Sequence, residues 1–177
     1  SVYYNHYHLS SILKVNYKKK LQKIKLVITD VDGVLTDGGM YYSKNGESLK
    51  KFNTRDAMGM ELLSGLDIKT IMLTRENSDI VKARAKKIKV DKLYSGILDK
   101  KSIFPTILKK YHVTSDQVAY IGDDINDIEI MKCVGFSSTP NDGMKQVKKL
   151  SNYICNLDGG NGAFREFAEL IMSSQKI

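Results

Sequence analysis

Tryptophan is absent from these 177 residues, and proline and cysteine occur only twice each. Cys133 and Cys155 are too few and too scattered for a disulfide framework or a zinc site. They read as buried apolar fillers in a reduced, cytoplasmic protein. With only Pro105 and Pro140, and no Gly/Ser-rich stretch or internal repeat, nothing marks a linker. No window approaches the roughly 18 apolar residues that cross a bilayer. The polar, aromatic start from Ser1 to Tyr17 also carries no signal-peptide core, so no membrane role is expected. Arginine is scarce: only Arg55, Arg75, Arg84 and Arg165 among 28 basic residues. The net charge of +8 suits an acidic partner. Arginine, however, is the preferred reader of phosphates and bases, and the lysines are dispersed apart from Lys18-Lys19-Lys20. An anionic small substrate therefore fits better than nucleic acid.

What is present is an alternation of short apolar runs and amphipathic segments, which predicts an α/β domain around a mostly parallel sheet. Expected strands are Leu26–Thr29, Thr70–Leu73, Lys92–Tyr94, Val118–Ile121, Gly135–Ser137 and Tyr153–Cys155. Expected helices are Asp56–Ser64, Ser78–Ile88, Lys100–Tyr111, Asp127–Val134, Gly143–Leu150 and Ala163–Met172. Asn45-Gly46, between apolar Met40–Tyr42 and Leu49–Phe52, predicts a β-hairpin flap with a two-residue turn. Residues 1–22 fit no core element and read as an N-terminal extension or leading helix; residues 23–177 form the domain. His6, His8 and the tyrosines at 3, 4, 7 and 17 show no functional pattern.

Ligands of open α/β sheets bind beyond the carboxyl ends of the strands. The first expected strand runs into Asp30-Val31-Asp32-Gly33-Val34-Leu35-Thr36. Residues i and i+2 of a strand project to one side, so Asp30 and Asp32 can converge, while Gly33 permits a sharp turn. The second strand ends in Thr74, whose hydroxyl can bond a phosphate oxygen. Lys100 opens the segment after the third. A strand-end threonine or a lysine in so basic a chain is, taken singly, equally well explained by structure. The fourth strand ends in Gly122-Asp123-Asp124-Ile125-Asn126-Asp127. Three carboxylates so close repel one another unless a cation sits among them, and oxygen ligands select Mg²⁺. Asp123 and Asp127, four apart, are expected to share one face of a helix start.

Asp30, Asp32, Thr74, Lys100 and Gly122-Asp123-Asp124-x-x-Asp127, in that order, resemble the four motifs of the haloacid dehalogenase-like phosphohydrolases. The resemblance covers the chain from about Lys23 onward. It implies a Rossmann-like three-layer sandwich, with Asp30 as nucleophile forming an aspartyl-phosphate and Asp32 as general acid and base. It also implies Mg²⁺ held by Asp30, Asp123 and the Asp32 carbonyl, Asp124 and Asp127 supporting that shell, and Thr74 and Lys100 on the phosphoryl oxygens. The cap domain of most relatives is missing. Together with the flap, Phe52-Asn53-Thr54-Arg55-Asp56 and Gly159-Gly160-Asn161-Gly162-Ala163-Phe164-Arg165-Glu166, this resembles the capless branch acting on 3-deoxy-D-manno-octulosonate (KDO) 8-phosphate and 2-keto-3-deoxynonulosonate 9-phosphate. That branch implies a homotetramer in which a neighbour's C-terminal tail closes the site, and it makes Arg55, Glu76, Arg84, Lys87 and Arg165 candidate substrate contacts. Arg55 matches the eight-carbon side; Glu76, Arg84 and Lys87 match the nine-carbon side. On the residues alone, Gly159-Gly160 is equally a flexible turn and Arg55 a surface residue at a helix start. A non-catalytic assembly domain beside a sugar-nucleotide synthetase, and a nucleic-acid end phosphatase, remain as competing functions.

Overall fold

In the computed structural model, which describes residues 17–175, the segment Leu26–Thr29 (β1) lies at the centre of the sheet and is buried along its whole length. Lys69–Leu73 (β4) and Val118–Ile121 (β6) flank it, both parallel to it, with Ile28 facing Ile71 on one side and Tyr120 on the other. Lys92–Tyr94 (β5) pairs outside β4, and Phe136–Thr139 (β7) and Tyr153–Ile154 (β8) extend the other edge. The order is β5-β4-β1-β6-β7-β8, wholly parallel. Strands covered on both faces read as continuous apolar runs rather than alternations, which is why LVIT and VAYI are so short and so hydrophobic.

Side chains of period two divide between two cores. Val27, Met72, Ala119 and Ile121 pack on one face with Leu63 of α2 (Thr54–Ser64), Val81 of α3 (Asp79–Ile88) and Phe164, Phe167 and Ile171 of α7 (Ala163–Gln175). Leu26, Ile28, Ile71 and Tyr120 pack on the other with Ile107 of α4 (Phe104–Tyr111), Met131 of α5 (Ile128–Met131) and Val147 of α6 (Lys145–Leu150). This is the expected three-layer sandwich. Residues 17–22 are helical (α1), and they join the first core: Leu21 is buried there, and the Tyr17 ring meets Phe136 edge-on at 5.4 Å. His6, His8 and the tyrosines at 3, 4 and 7 lie outside the described residues.

Three local expectations shift. The hairpin pairs Tyr41–Ser43 (β2) with Gly46–Leu49 (β3), and Ser43 faces Gly46, so the turn is Lys44-Asn45 rather than Asn45-Gly46. Lys100 does not open a helix. Pro105 takes the favoured first-turn position and α4 begins at Phe104, while Asp99 Oδ1 accepts the N–H groups of Lys101 and Ser102 and ties residues 99–102 into a turn. The helix expected from Asp127 shrinks to a 3₁₀ turn, Ile125–Asp127, followed by the four-residue α5. Cys155 is buried as expected, and burial pushes its thiol up to about 12; Cys133 is only half-buried.

Candidate active site

The carboxyl ends of β1, β4 and β6 meet where the strand order reverses, at the position where open parallel sheets bind ligands. Asp30 follows β1 directly, its N–H bonded to the Ile121 carbonyl at 3.0 Å and its Oδ1 accepting the Val31 N–H at 2.7 Å. The chain then folds back at Gly33, where φ is +87° and an added Cβ would lie 1.9 Å from Asp123 Oδ2. Only glycine satisfies both the left-handed backbone and that approach. The Thr36 hydroxyl accepts from the N–H groups of Gly33 and Gly38 and fixes the loop.

Lys100 is 1% exposed, and its ammonium bridges Asp30 Oδ1 at 2.8 Å and Asp127 Oδ1 at 2.7 Å. Asp127, fully buried, also accepts from the Tyr120 hydroxyl at 2.6 Å and, through Oδ2, from the N–H groups of Asp123 and Asp124. It does not lie beside Asp123 on a helix face; the 3₁₀ turn curls it back under the loop. Asp124 turns outward, where its side chain caps that turn on the Ile125 N–H at 2.6 Å. Thr74 is buried at the end of β4, and its hydroxyl accepts the Glu76 N–H at 3.1 Å, leaving the hydroxyl proton to donate elsewhere.

Oxygens of Asp30, Asp123 and Asp127 lie within 4.8 Å of one another, with Lys100 as the buried cation among them. The charge does not balance. Burial and the nearby Asp127 hold Asp30 well above the usual carboxylate range, although Lys100 opposes them. Burial, then Asp127 and Asp124, push Asp123 up to about 7. Desolvation acts against the Lys100 charge, but Asp30 and Asp127 outweigh it and keep the ammonium protonated. Negative charge in excess at a cluster of hard oxygen ligands fits a small divalent cation. Asp127 already has its oxygens engaged by Lys100, Tyr120 and the N–H groups of Asp123 and Asp124, which leaves Asp30 and Asp123 as the carboxylates that could hold such a cation directly.

A cleft of about 260 Å³ opens above this cluster, lined by Asp30, Asp32, Thr74, Asp123 and Asp124 together with Gly33, Met40, Arg75 and Glu76. Of the five candidate substrate contacts, one chain brings only Glu76 to it. Arg84 stacks over the Phe52 ring at 5.4 Å and, with Lys87, lines a separate cavity between α2 and α3. Arg55 is exposed at the start of α2, and Arg165 pairs with Glu169 at 2.7 Å. Gly159-Gly160 packs on its own chain: a Cβ on Gly159 would lie 1.8 Å from the Gly33 carbonyl oxygen, and the Gly160 N–H bonds Val34 at 2.9 Å. Two residues here escaped the sequence reading. Tyr120 looked like one more core residue of VAYI; Lys50, which meets Asp32 Oδ1 at 2.5 Å, was one lysine among many.

A family model described as haloacid dehalogenase-like hydrolase matches residues 65–166. The chain is 38% identical to the 3-deoxy-D-manno-octulosonate 8-phosphate phosphatase of Haemophilus influenzae, over 89% of this chain and 88% of that protein. The cobalt-bound structure of the Haemophilus influenzae phosphatase superimposes with a TM-score of 0.86 at 38% identity, covering 88% and 91% of the two chains. The phosphatase from Moraxella catarrhalis, in complex with magnesium ion, phosphate ion and KDO, gives 0.86 at 34% identity and covers 90% and 91%.

Proposed function

The chain belongs to the haloacid dehalogenase-like hydrolases, and on that premise we propose that it is a Mg²⁺-dependent phosphatase of 2-keto-3-deoxy sugar-acid phosphates, with KDO 8-phosphate as substrate. The observation that carries this reading is the crowding of Asp30, Asp123 and Asp127 around Lys100 at the floor of a cleft. A retired assembly domain has no use for buried charge of this kind, which costs stability unless it works. The eight-carbon sugar is favoured by the relatives, which act on it at up to 38% identity.

In the proposed reaction a carboxylate oxygen of Asp30 attacks phosphorus in line, and the bond to the sugar oxygen breaks as Asp32 gives that oxygen a proton. Water then attacks the aspartyl-phosphate, Asp32 takes its proton, and inorganic phosphate leaves. Lys100 and Thr74 meet the phosphoryl oxygens, and Asp127 with Asp124 holds the loop that presents Asp123. A divalent cation on Asp30, Asp123 and the Asp32 carbonyl would neutralise the developing charge. Arg75 and Glu76, on the rim, face the sugar.

Arg55, Arg84, Lys87 and Arg165 reach substrate in this reading only across a subunit boundary, as in a homotetramer. Support comes from the flap, where Tyr41, Tyr42 and Leu49 are 49%, 65% and 63% exposed, an apolar patch of the kind that marks association. Gly159-Gly160 is engaged on its own chain and α7 packs into its own core, so these described residues close no neighbour's site as a free tail, and a neighbour's contribution is proposed for the flap instead. Unpaired Cys133 and Cys155 fit a reducing, cytoplasmic compartment. The test is phosphate release from a panel of sugar-acid phosphates with and without Mg²⁺. KDO 8-phosphate should be cleaved only with the metal, and Asp30→Asn should abolish turnover while keeping the fold; retained activity in that variant overturns the assignment.

A further inference from the structure

Lys50 follows directly on β3, at the foot of the flap, and its side chain is fully buried. Its ammonium donates to Asp32 Oδ1 at 2.5 Å and to Glu47 Oε1 at 2.7 Å. The other oxygen of Glu47 accepts from the Ser78 hydroxyl at 2.7 Å. Ser78 occupies the N-cap of α3, where serine ordinarily bonds the helix's own N–H groups; here it makes no such bond and serves Glu47 instead. A chain of three side chains thus runs from the helix behind the Thr74 loop, through the flap, to Asp32. At its end Asp32 Oδ2 is buried and has no partner among the described residues, an arrangement rare enough to call for a ligand or a function, and Asp32 lines the cleft.

We infer that Lys50 is a positioning residue for proton transfer: by occupying Asp32 Oδ1 it leaves Oδ2 as the one oxygen that carries the proton to the departing alkoxide. An oxygen that already accepts an N–H is the poorer site for that proton. Glu47 and Ser78 fix the lysine in turn. The flap therefore contributes to the chemistry and does not only cover it. This rests on the phosphatase reading, in which Asp32 protonates the leaving group.

The consequence is a dependence on the leaving group. A sugar alkoxide needs the proton; p-nitrophenolate leaves without one. With enzyme in excess and Mg²⁺ present, Lys50→Met should slow single-turnover cleavage of KDO 8-phosphate by roughly 100-fold, the usual scale of general acid catalysis. Release of p-nitrophenolate from p-nitrophenyl phosphate should stay within about threefold of wild type. Ser78→Ala, a milder change, should show the same selectivity at a few-fold amplitude, and it decides the matter if Lys50→Met does not melt cooperatively. Equal slowing of both substrates in a folded variant, or no slowing of the sugar phosphate, overturns the inference. Wild-type enzyme that cleaves neither substrate would instead sink the phosphatase reading; wild type cleaving both leaves it standing whichever way the variants fall.

Discussion

Asp56 sits in the first turn of α2, 2% exposed, against α7. One oxygen accepts the Arg165 N–H at 3.0 Å, and the other, Oδ2, is buried without a partner among the described residues. Burial lifts its pKa from 3.8 to about 6, although the Arg165 N–H and the Arg84 charge oppose the change. A raised carboxylate pKa means that folding favours the protonated form. The stability it contributes is complete below the unfolded value near 3.8 and is lost as pH rises through about 6. A shift of that size is worth roughly 3 kcal/mol, of which about 2–3 kcal/mol is lost between pH 4 and pH 7.5. Asp56→Asn keeps an oxygen for the Arg165 N–H and cannot ionise. Its amide nitrogen, placed where Oδ2 now lies, adds a constant penalty that does not vary with pH. The quantity to measure is therefore the difference in unfolding free energy between wild type and variant, by urea titration at intervals from pH 4 to 7.5. It should move in the variant's favour by about 2–3 kcal/mol over that range. A difference that stays flat with pH would refute the argument, whatever its absolute size.

Gly33→Ala should weaken Mg²⁺ binding at least roughly tenfold by calorimetric titration, because the added methyl meets Asp123 Oδ2 at 1.9 Å; the left-handed backbone adds a cost of about 1–2 kcal/mol. Unchanged affinity would show that Asp123 is not a ligand. Tyr120→Phe removes a 2.6 Å donor from Asp127 and should cost about 1–2 kcal/mol of stability. In kinetic assays it should lower kcat more than it changes KM, since Lys100 is held through Asp127. Saturating Mg²⁺, at about 100 times its Kd, should raise stability by about 2.7 kcal/mol and the melting temperature by roughly 5–10 °C. Asp123→Ala should abolish that rise, and a chelator should reverse it in wild type; a rise that persists in Asp123→Ala would place the cation elsewhere.

The centre of the site was legible because it is local. A buried strand of a parallel sheet is a short apolar run, and whatever polar residue follows it stands at the carboxyl edge, so Asp30, Thr74 and Asp123 could be placed from pattern alone. Contacts made by folding back were not legible. Nothing in the spacing of Asp123 and Asp127 distinguishes a shared helix face from the 3₁₀ curl that sends Asp127 under Lys100. Nor does a lysine at position 50 announce that its ammonium will be buried against Asp32, because that depends on where the flap lands. The turn of that flap slipped by one residue because Lys44-Asn45 closes the hairpin and Gly46 takes the first paired position, with φ at +105°. The arginines at 55, 84 and 165 illustrate the opposite case: motif resemblance named them, yet within one chain the fold directs all three away from the cleft.

The contact of Gly159 and Gly160 with the loop of residues 33–37 has a consequence for how the protein comes into being. Asp30 and Asp32 follow the first strand of the sheet, but the backbone against which their loop rests follows the sheet's edge strand β8 and is made after every strand of the sheet. Until residues beyond 158 are free to dock, the loop after β1 lacks one of its walls. The loop that carries both aspartates is therefore walled only once the segment after β8 has been made and has folded back, and a product cut before Gly159 leaves that loop open on one side.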